Sequence, residues 1–259
     1  MDPTGTPTEN GRSRKFVPES CSLAPFSPGA YLDAIGPNRN VYIFGDSITQ
    51  QQKSSLSCEL ERHINSTGRS WNLINGGRIT FYRVSTTQDL EKQLQKLTVG
   101  IKGGLPGAML ASDVCIFNVG VHYNDLPSYK NEFLNYFERN CLKSTCLPCR
   151  MVWRESTHQH FPGKQGGNFA GKDKPCPKGC ARFSEKQVTK HNWRNIHANA
   201  LMEQYGVPII RAWHMSSMSD DMHVGAGGGR CDCTHFCNYR LGLFEAWHTV
   251  FQNFLAAFS

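Results

Sequence analysis

The chain has 259 residues, 39% hydrophobic and 19% charged, with 28 basic side chains against 21 acidic ones and a formal net charge of +7. That length suits one α/β domain, and no run of about 18 apolar residues is present to cross a bilayer. The basic residues are scattered rather than clustered, so the footprint of a nucleic-acid binder is missing and no nucleic-acid partner is expected.

Residues 1–39 are rich in Pro, Gly and Ser and show no sustained period. They are expected to form a flexible or wrapping arm, with 40–259 as the folded domain. No signal peptide is visible at the start of the chain. Val41 to Phe44 is a short apolar run of the buried-strand type, broken by Gly45 and followed by a helix from about Ser47 to His63. Gly77 to Val84 is a second strand. Residues 87–98 are helical, with Leu90, Leu94 and Leu97 on one face. Val114 to Val119 is a third strand, and 126–140 a helix with Phe133, Tyr136 and Phe137 on one side. Met151 to Trp153 is a fourth strand. Residues 157–182, rich in Gly, Pro and Lys, are expected to form a long loop. A helix over 184–205 closes at Gly206. Val207 to Ile210 is a fifth strand, 215–229 a loop and 241–257 an amphipathic helix. Strands alternating with helices predict a five-stranded parallel sheet covered on both faces. Ligands of such sheets bind beyond the carboxyl ends of the strands. Chemistry is therefore expected in the loops 45–48, 118–125, 154–161 and 230–237.

Eleven cysteines are a high number for this length. Cys115 lies inside an apolar run and is expected as a buried free thiol. The others, Cys21, Cys58, Cys141, Cys146, Cys149, Cys176, Cys180, Cys231, Cys233 and Cys237, are disulfide candidates, and disulfides imply an oxidising compartment. Asn65-Ser66-Thr67 is a glycosylation sequon that agrees with that. The competing reading is a zinc site at Cys141, Cys146, Cys149, Cys176 and Cys180. Their spacing is not a pair of CxxC motifs, which favours disulfides and no metal.

Two motifs carry the chemistry. In Phe44-Gly45-Asp46-Ser47 a serine follows a buried strand at the mouth of a helix. A serine hydroxyl needs a base to attack at neutral pH; the helix end supplies N–H groups and a positive dipole for an oxyanion. In Asp232-Cys233-Thr234-His235 an acid and a histidine share one turn, and the acid can fix the tautomer while the other ring nitrogen faces the serine. Either alone reads as a helix cap or a rigid loop; together they name a triad of Ser47, Asp232 and His235. Asn118 ends the third strand, and its amide is expected to form an oxyanion hole with the N–H groups of Ser47 and Gly77. Arg154, His158 and His160 leave the fourth strand and are candidates to contact substrate; no carboxylate is spaced to help the histidines hold a metal.

These blocks together resemble the PC-esterase branch of the SGNH/GDSL hydrolase superfamily, which includes trichome-birefringence-like polysaccharide O-acetyltransferases and sialate O-acetyltransferases. FGDSITQQQKSSLSCEL, SDVCIFNVGVHYND, VWRESTHQHF and CDCTHFC carry the resemblance, over about 41–250. Asn238-Tyr239-Arg240 stands where the plant enzymes have Leu-Pro-Gly. The resemblance implies a flavodoxin-like three-layer α/β/α sandwich, the same triad, Gly77 and Asn118 at the oxyanion, and substrate contacts from His122, Arg154 and His160. It implies disulfides around the C-terminal loop and a Golgi-luminal or extracellular location. The expected activity is O-acetylation of a carbohydrate hydroxyl through an acetyl-enzyme. The co-substrate would be acetyl-CoA or another acetyl ester, with no bound cofactor and a monomeric chain. The alternatives are an acetylesterase with the same triad, and a non-catalytic glycan-binding protein.

Overall fold

The computed structural model describes residues 22–66, 68–102, 109–162, 169, 179–224, 232–237 and 242–258. In chain order the elements are α1 (Pro28–Ile35), β1 (Asn40–Gly45), α2 (Ser47–Glu59), β2 (Ser70–Asn72), β3 (Arg78–Arg83), α3 (Thr87–Lys102), β4 (Val114–Phe117), α4 (126–142), β5 (Arg150–Arg154), α5 (Glu185–His191), α6 (Trp193–Gln204), β6 (Ile209–Ile210), α7 (Trp213–Ser217) and α8 (Leu243–Phe258). α4 alternates α-helical turns with π-helical ones at Tyr129–Leu134 and Glu138–Leu142.

The sheet is built around β1. Its side chains alternate between two cores, Tyr42 and Phe44 on one face and Val41 and Ile43 on the other. A strand buried on both sides has no polar face to show, hence the unbroken apolar run in the sequence. On the first face Phe44 stacks between Tyr82 and Phe117, at 4.8 and 4.7 Å between centroids, and Leu90, Leu94, Phe133, Phe137 and Met202 from α3, α4 and α6 close over them. On the second face Leu32 and Ile35 of α1, Leu56 of α2, and Phe251 and Leu255 of α8 cover Ile43, Ile79 and Ile116. Helices thus lie on both sides, and the chain is a three-layer α/β/α sandwich.

The strand order is β2-β3-β1-β4-β5-β6. β1, β3, β4, β5 and β6 are mutually parallel, and β2 pairs antiparallel with β3. The parallel strands taken alone run in the 2-1-3-4-5 order of flavodoxin-like sheets. The sixth strand corrects the expected five: β2 is three residues long, too short for a period to register. α1 was also not foreseen within the arm. Ser27 caps it, its Oγ accepting from Ala30 N at 3.2 Å, and Pro28 begins it, as proline suits a first helical turn. At eight residues it is likewise too short to display an amphipathic pattern. The expected helix over 184–205 is two helices that meet at Asn192.

Among the described residues three disulfides are formed: Cys115–Cys149, Cys141–Cys146 and Cys180–Cys233. Cys115 is therefore a half-cystine and not the free thiol expected from its apolar setting; its partner immediately precedes β5. Cys58, expected in a bridge, is an exposed thiol whose Sγ contacts Ser54 O at 3.5 Å. Cys237 is buried. Cys21, Cys176 and Cys231 lie outside the described residues. Four of the five sulfurs that a zinc site would need are bonded to other sulfurs, which removes that alternative. Among the described residues no helix is long and apolar enough to cross a membrane.

Candidate active site at the carboxyl end of the sheet

All five parallel strands point their carboxyl ends to one edge, and there β1 hands over to α2. Asp46 is the N-cap, its Oδ1 accepting from Ile48 N at 2.9 Å. Gly45 must be glycine: a Cβ there would overlap the Thr49 side chain one turn into the helix. Ser47 opens α2, so its N–H has no carbonyl one turn back to receive it. The hydroxyl stands in the positive end of the helix dipole.

Opposite lies the loop 232–237. His235 Nε2 is 2.7 Å from Ser47 Oγ, and His235 Nδ1 is 2.8 Å from Asp232 Oδ2 and 3.1 Å from Oδ1. Only one tautomer satisfies both contacts: Nδ1–H donates to the carboxylate, and Nε2 accepts from the serine hydroxyl. The backbone N–H groups of His235 and Thr234 also donate to Asp232 Oδ1, at 3.0 and 3.2 Å. The hydrogen bond to Asp232 raises the His235 pKa, against the opposing effect of burial; Asp46 adds to the rise and Arg83 subtracts. Burial pushes the Asp232 carboxyl up, but the hydrogen bonds from the His235 side chain and backbone outweigh it and hold the carboxyl below its ordinary value.

The loop is strapped from several sides. Gln51 Nε2 donates to Phe236 O at 2.8 Å, and Gln51 Oε1 accepts from Phe236 N at 3.0 Å. Val224 N donates to His235 O and Cys237 N to Met222 O, at 2.9 and 2.8 Å. His160 N donates to Cys233 O at 2.9 Å, and Gln159 Nε2 donates to Thr234 Oγ1 at 2.8 Å. The Cys180–Cys233 bridge adds a covalent tie. Beneath it Phe236 joins Ile48, Met215, Met222, Phe244 and Trp247 in a small separate core.

The oxyanion residues foreseen from sequence divide. Asn118 directly follows β4, is buried, and its N–H donates to Phe44 O at 2.8 Å, which seats it beside β1. Its Oδ1 accepts from Arg154 Nη2 at 2.7 Å, and its Nδ2 donates to Arg154 O at 3.1 Å and more distantly to Ser156 Oγ at 3.4 Å. Gly77 is in the wrong place. It precedes β3, a six-residue strand parallel to β1 with Arg78 level with Asn40, so it sits at the amino end of the sheet, about 20 Å from Ser47. At the correct end of β3 the N–H groups of Val84, Ser85 and Thr86 are engaged by Gly45 O and Asp89 Oδ2.

Arg154 and His160 do not reach the surface; both are fully buried. Arg154 Nη2 also donates to Thr49 Oγ1 at 2.7 Å, and its guanidinium lies over the Trp247 ring at 4.9 Å. Burial lowers its pKa to about 10, with Asp46 opposing. It braces Asn118 against α2 from below and does not line a substrate surface. Glu155, next along, caps α7 by accepting from Ala212 N and Trp213 N at 3.0 and 2.9 Å. His122 is exposed in the loop after β4, on the active edge. Among the described residues no group of three or more His, Cys, Asp and Glu is arranged around a metal position.

Gln51 and His223 went unrecognised in the sequence. Gln51 carried a usable signal: it lies four residues after Ser47 and therefore on the same face of α2. His223, in a stretch read as plain loop, carried none.

No protein-family model matches the chain, and no curated protein matches it. Among solved structures it is similar to a GDSL-like lipase from Bacteroides thetaiotaomicron, at 10% identity and TM-score 0.44 over 85% of this chain and 87% of that one. It is similar to a member of the lipolytic G-D-S-L family from Veillonella parvula, at 9% identity and TM-score 0.44 over 85% and 96%. A third is an extracellular lipase from Streptomyces rimosus, at 10% identity and TM-score 0.42 over 76% and 92%.

Proposed function

We propose that this protein is a serine-dependent acyl-transfer enzyme of the SGNH type, with Ser47 as nucleophile, His235 as base and Asp232 as the group that orients it. One observation carries the reading: the unbroken line from Asp232 through His235 to Ser47, with links of 2.8 and 2.7 Å, at the carboxyl edge of a parallel sheet. Ser47 Oγ attacks an acyl carbonyl as its proton passes to His235 Nε2. The imidazolium so formed is held by Asp232, and it returns the proton to the leaving group, the alcohol oxygen of an ester or the sulfur of a thioester. The Ser47 N–H and the Asn118 amide receive the oxyanion, for which Asn118 Nδ2 releases the longer of its two contacts, the one to Ser156. In the second half-reaction His235 deprotonates the incoming hydroxyl, which takes the acyl group from Ser47.

For the transferred group we favour acetyl, from acetyl-CoA or another acetyl ester, and for the acceptor a carbohydrate hydroxyl. Both follow from the resemblance of the four sequence blocks to the polysaccharide and sialate O-acetyltransferases. Three disulfides support an oxidising compartment, so a Golgi-luminal or secreted enzyme fits. Hydrolysis is the second reading, and one observation favours it: the side chains of His235 and Asp232 are 32% and 36% exposed, so water reaches the relay.

The test is to incubate wild type and Ser47→Ala with an activated acetyl ester and a mixed oligosaccharide panel, and to divide the released acetyl by mass spectrometry. Ser47-dependent acetyl on a sugar establishes the transferase. Ser47-dependent acetate alone establishes the esterase. Equal turnover by Ser47→Ala removes the proposal.

A further inference from the structure

A second run of imidazoles lies behind the relay, and acyl transfer leaves it without a role. His158, His160 and His223 are buried, and with the partly exposed His191 they form a file. His191 Nδ1 is 3.4 Å from His158 Nε2, and His158 Nδ1 is 3.1 Å from His160 Nε2. His160 Nδ1 is 2.6 Å from His223 Nε2, and His223 Nδ1 is 3.0 Å from the carbonyl oxygen of His235.

The last contact sets the direction of the one before it. A carbonyl only accepts, so His223 Nδ1 carries the hydrogen. A neutral imidazole has one N–H, so His223 Nε2 accepts from His160 Nδ1–H. Farther out, His160 Nε2 faces two groups, Ser217 O at 3.0 Å and His158 Nδ1 at 3.1 Å, and the carbonyl again only accepts. Two bonds, from His160 to His223 and from His223 to the His235 carbonyl, thus point toward the loop that holds His235.

Burial favours the neutral form of the rings on either side of His160. Desolvation first, and the neighbouring rings and Arg194 second, push His158 down to about 2. Desolvation and His160 hold His223 at about 3, against opposing help from the His235 carbonyl and Asp232. Desolvation and Lys190 lower the outermost ring, His191. The file is packed into the fold along its length: His158 N donates to Ser216 Oγ at 3.0 Å, and Phe236 stacks on His223 with centroids 4.2 Å apart. His235 O, with Val224 N on one side and His223 Nδ1 on the other, has both lone pairs engaged.

We propose that His223, backed by His160, is a positioning residue for His235: the hydrogen bonds from His160 to His223 and from His223 to the His235 carbonyl fix that carbonyl and thereby the reach of the His235 Nε2 to Ser47. For its kinetic readout this rests on the acyl-transfer reading above; the tautomers do not.

The test uses the intact protein, 15N-labelled at histidine, with H223F, H223N and H223Q. Asparagine places an amide N–H near the position of Nδ1, glutamine near that of Nε2, and phenylalanine keeps a ring with neither. The expected spectrum shows His223 as the Nδ1–H tautomer. H223F and H223Q are expected to lose roughly 10- to 100-fold in kcat, the scale of a small misplacement of a reacting group, with KM unchanged. In both, the His235 titration moves to lower pH, because a loosened ring keeps less of its bond to Asp232. H223N recovers most of kcat and the wild-type titration. Imidazolium or Nε2–H at His223, or H223Q equal to wild type in kcat and in the His235 titration, overturns the proposal. Should H223F fail to fold, the wild-type spectrum and the H223N/H223Q pair still decide. Should the wild type lack Ser47-dependent turnover, the acyl-transfer reading falls, and the tautomers with the His235 titration judge the file alone.

Discussion

His235 sits between two oxygens of different character, a carboxylate that accepts its N–H and a hydroxyl whose proton it takes in the proposed reaction. The ring has to be neutral to serve as base, and its pKa lies above the ordinary histidine value of 6.5. Activity is therefore present above that raised pKa and is lost as pH falls through it. The acid limb of kcat/KM, which reports the free enzyme, is expected above pH 6.5. Asp232→Asn removes the largest cause of the rise, so the limb should move to lower pH while kcat falls about 10,000-fold. A pH–rate profile of the two proteins measures both; an acid limb that stays in place would mean that another group sets it. Arg154 acts at one remove from this chemistry: a fully buried cation held by Asn118 and Thr49, it keeps the amide of Asn118 beside the β1 terminus.

Helix α2 carries the proposed nucleophile at its first residue and a strap one turn later. Gln51 uses both ends of its amide on the backbone of Phe236, the residue after His235, so it ties the helix that holds the nucleophile to the loop that holds the base. Gln51→Leu keeps the approximate volume and removes both bonds. It leaves the Phe236 N–H and C=O without their partners, at a cost of about 1–3 kcal/mol. We expect kcat to fall with KM little changed, since the loss falls on alignment of the relay and not on substrate contact. Comparing the two kinetic constants with the melting temperature checks this; a lower melting temperature with unchanged kcat would make Gln51 a stabilising residue only.

At the scale of the molecule, two cores hold the sheet between its helix layers, and a third, smaller one supports the active edge. The loop 232–237 rests on that minor core and on the Cys180–Cys233 bridge, which closes a span of 53 residues. A crosslink of that span removes about 4 kcal/mol of chain entropy from the unfolded state. C180S/C233S is expected to lower the melting temperature by about 10 °C. Activity should also be lost at temperatures below the new midpoint, as the loop loosens before the major cores melt. Parallel activity and circular-dichroism melts test this; coincident curves would show the loop to be held without the bridge.

Much of the molecule was determined by local sequence. The parallel strands are apolar runs because both faces are buried, and Ser47 sits at a strand end where the βα rhythm places it. Contact between Ser47 and His235, 188 positions apart, was inferable only because two motifs, one at a strand end and one in a late loop, supply complementary chemistry. Tertiary structure decided what local pattern cannot carry. Gly77 lies at the amino edge because a residue before a parallel strand and one after it are separated by the full strand length. Cys115 found Cys149 because β4 and β5 are adjacent and Cys149, just before β5, lies two positions from Met151, the residue level with Cys115. Arg154 and His160 turned inward, where buried polar partners outweigh exposure. The histidine file exists because three segments distant in sequence, 158–160, His191 and His223, pack together under the catalytic loop, and no spacing within any one of them announces the others.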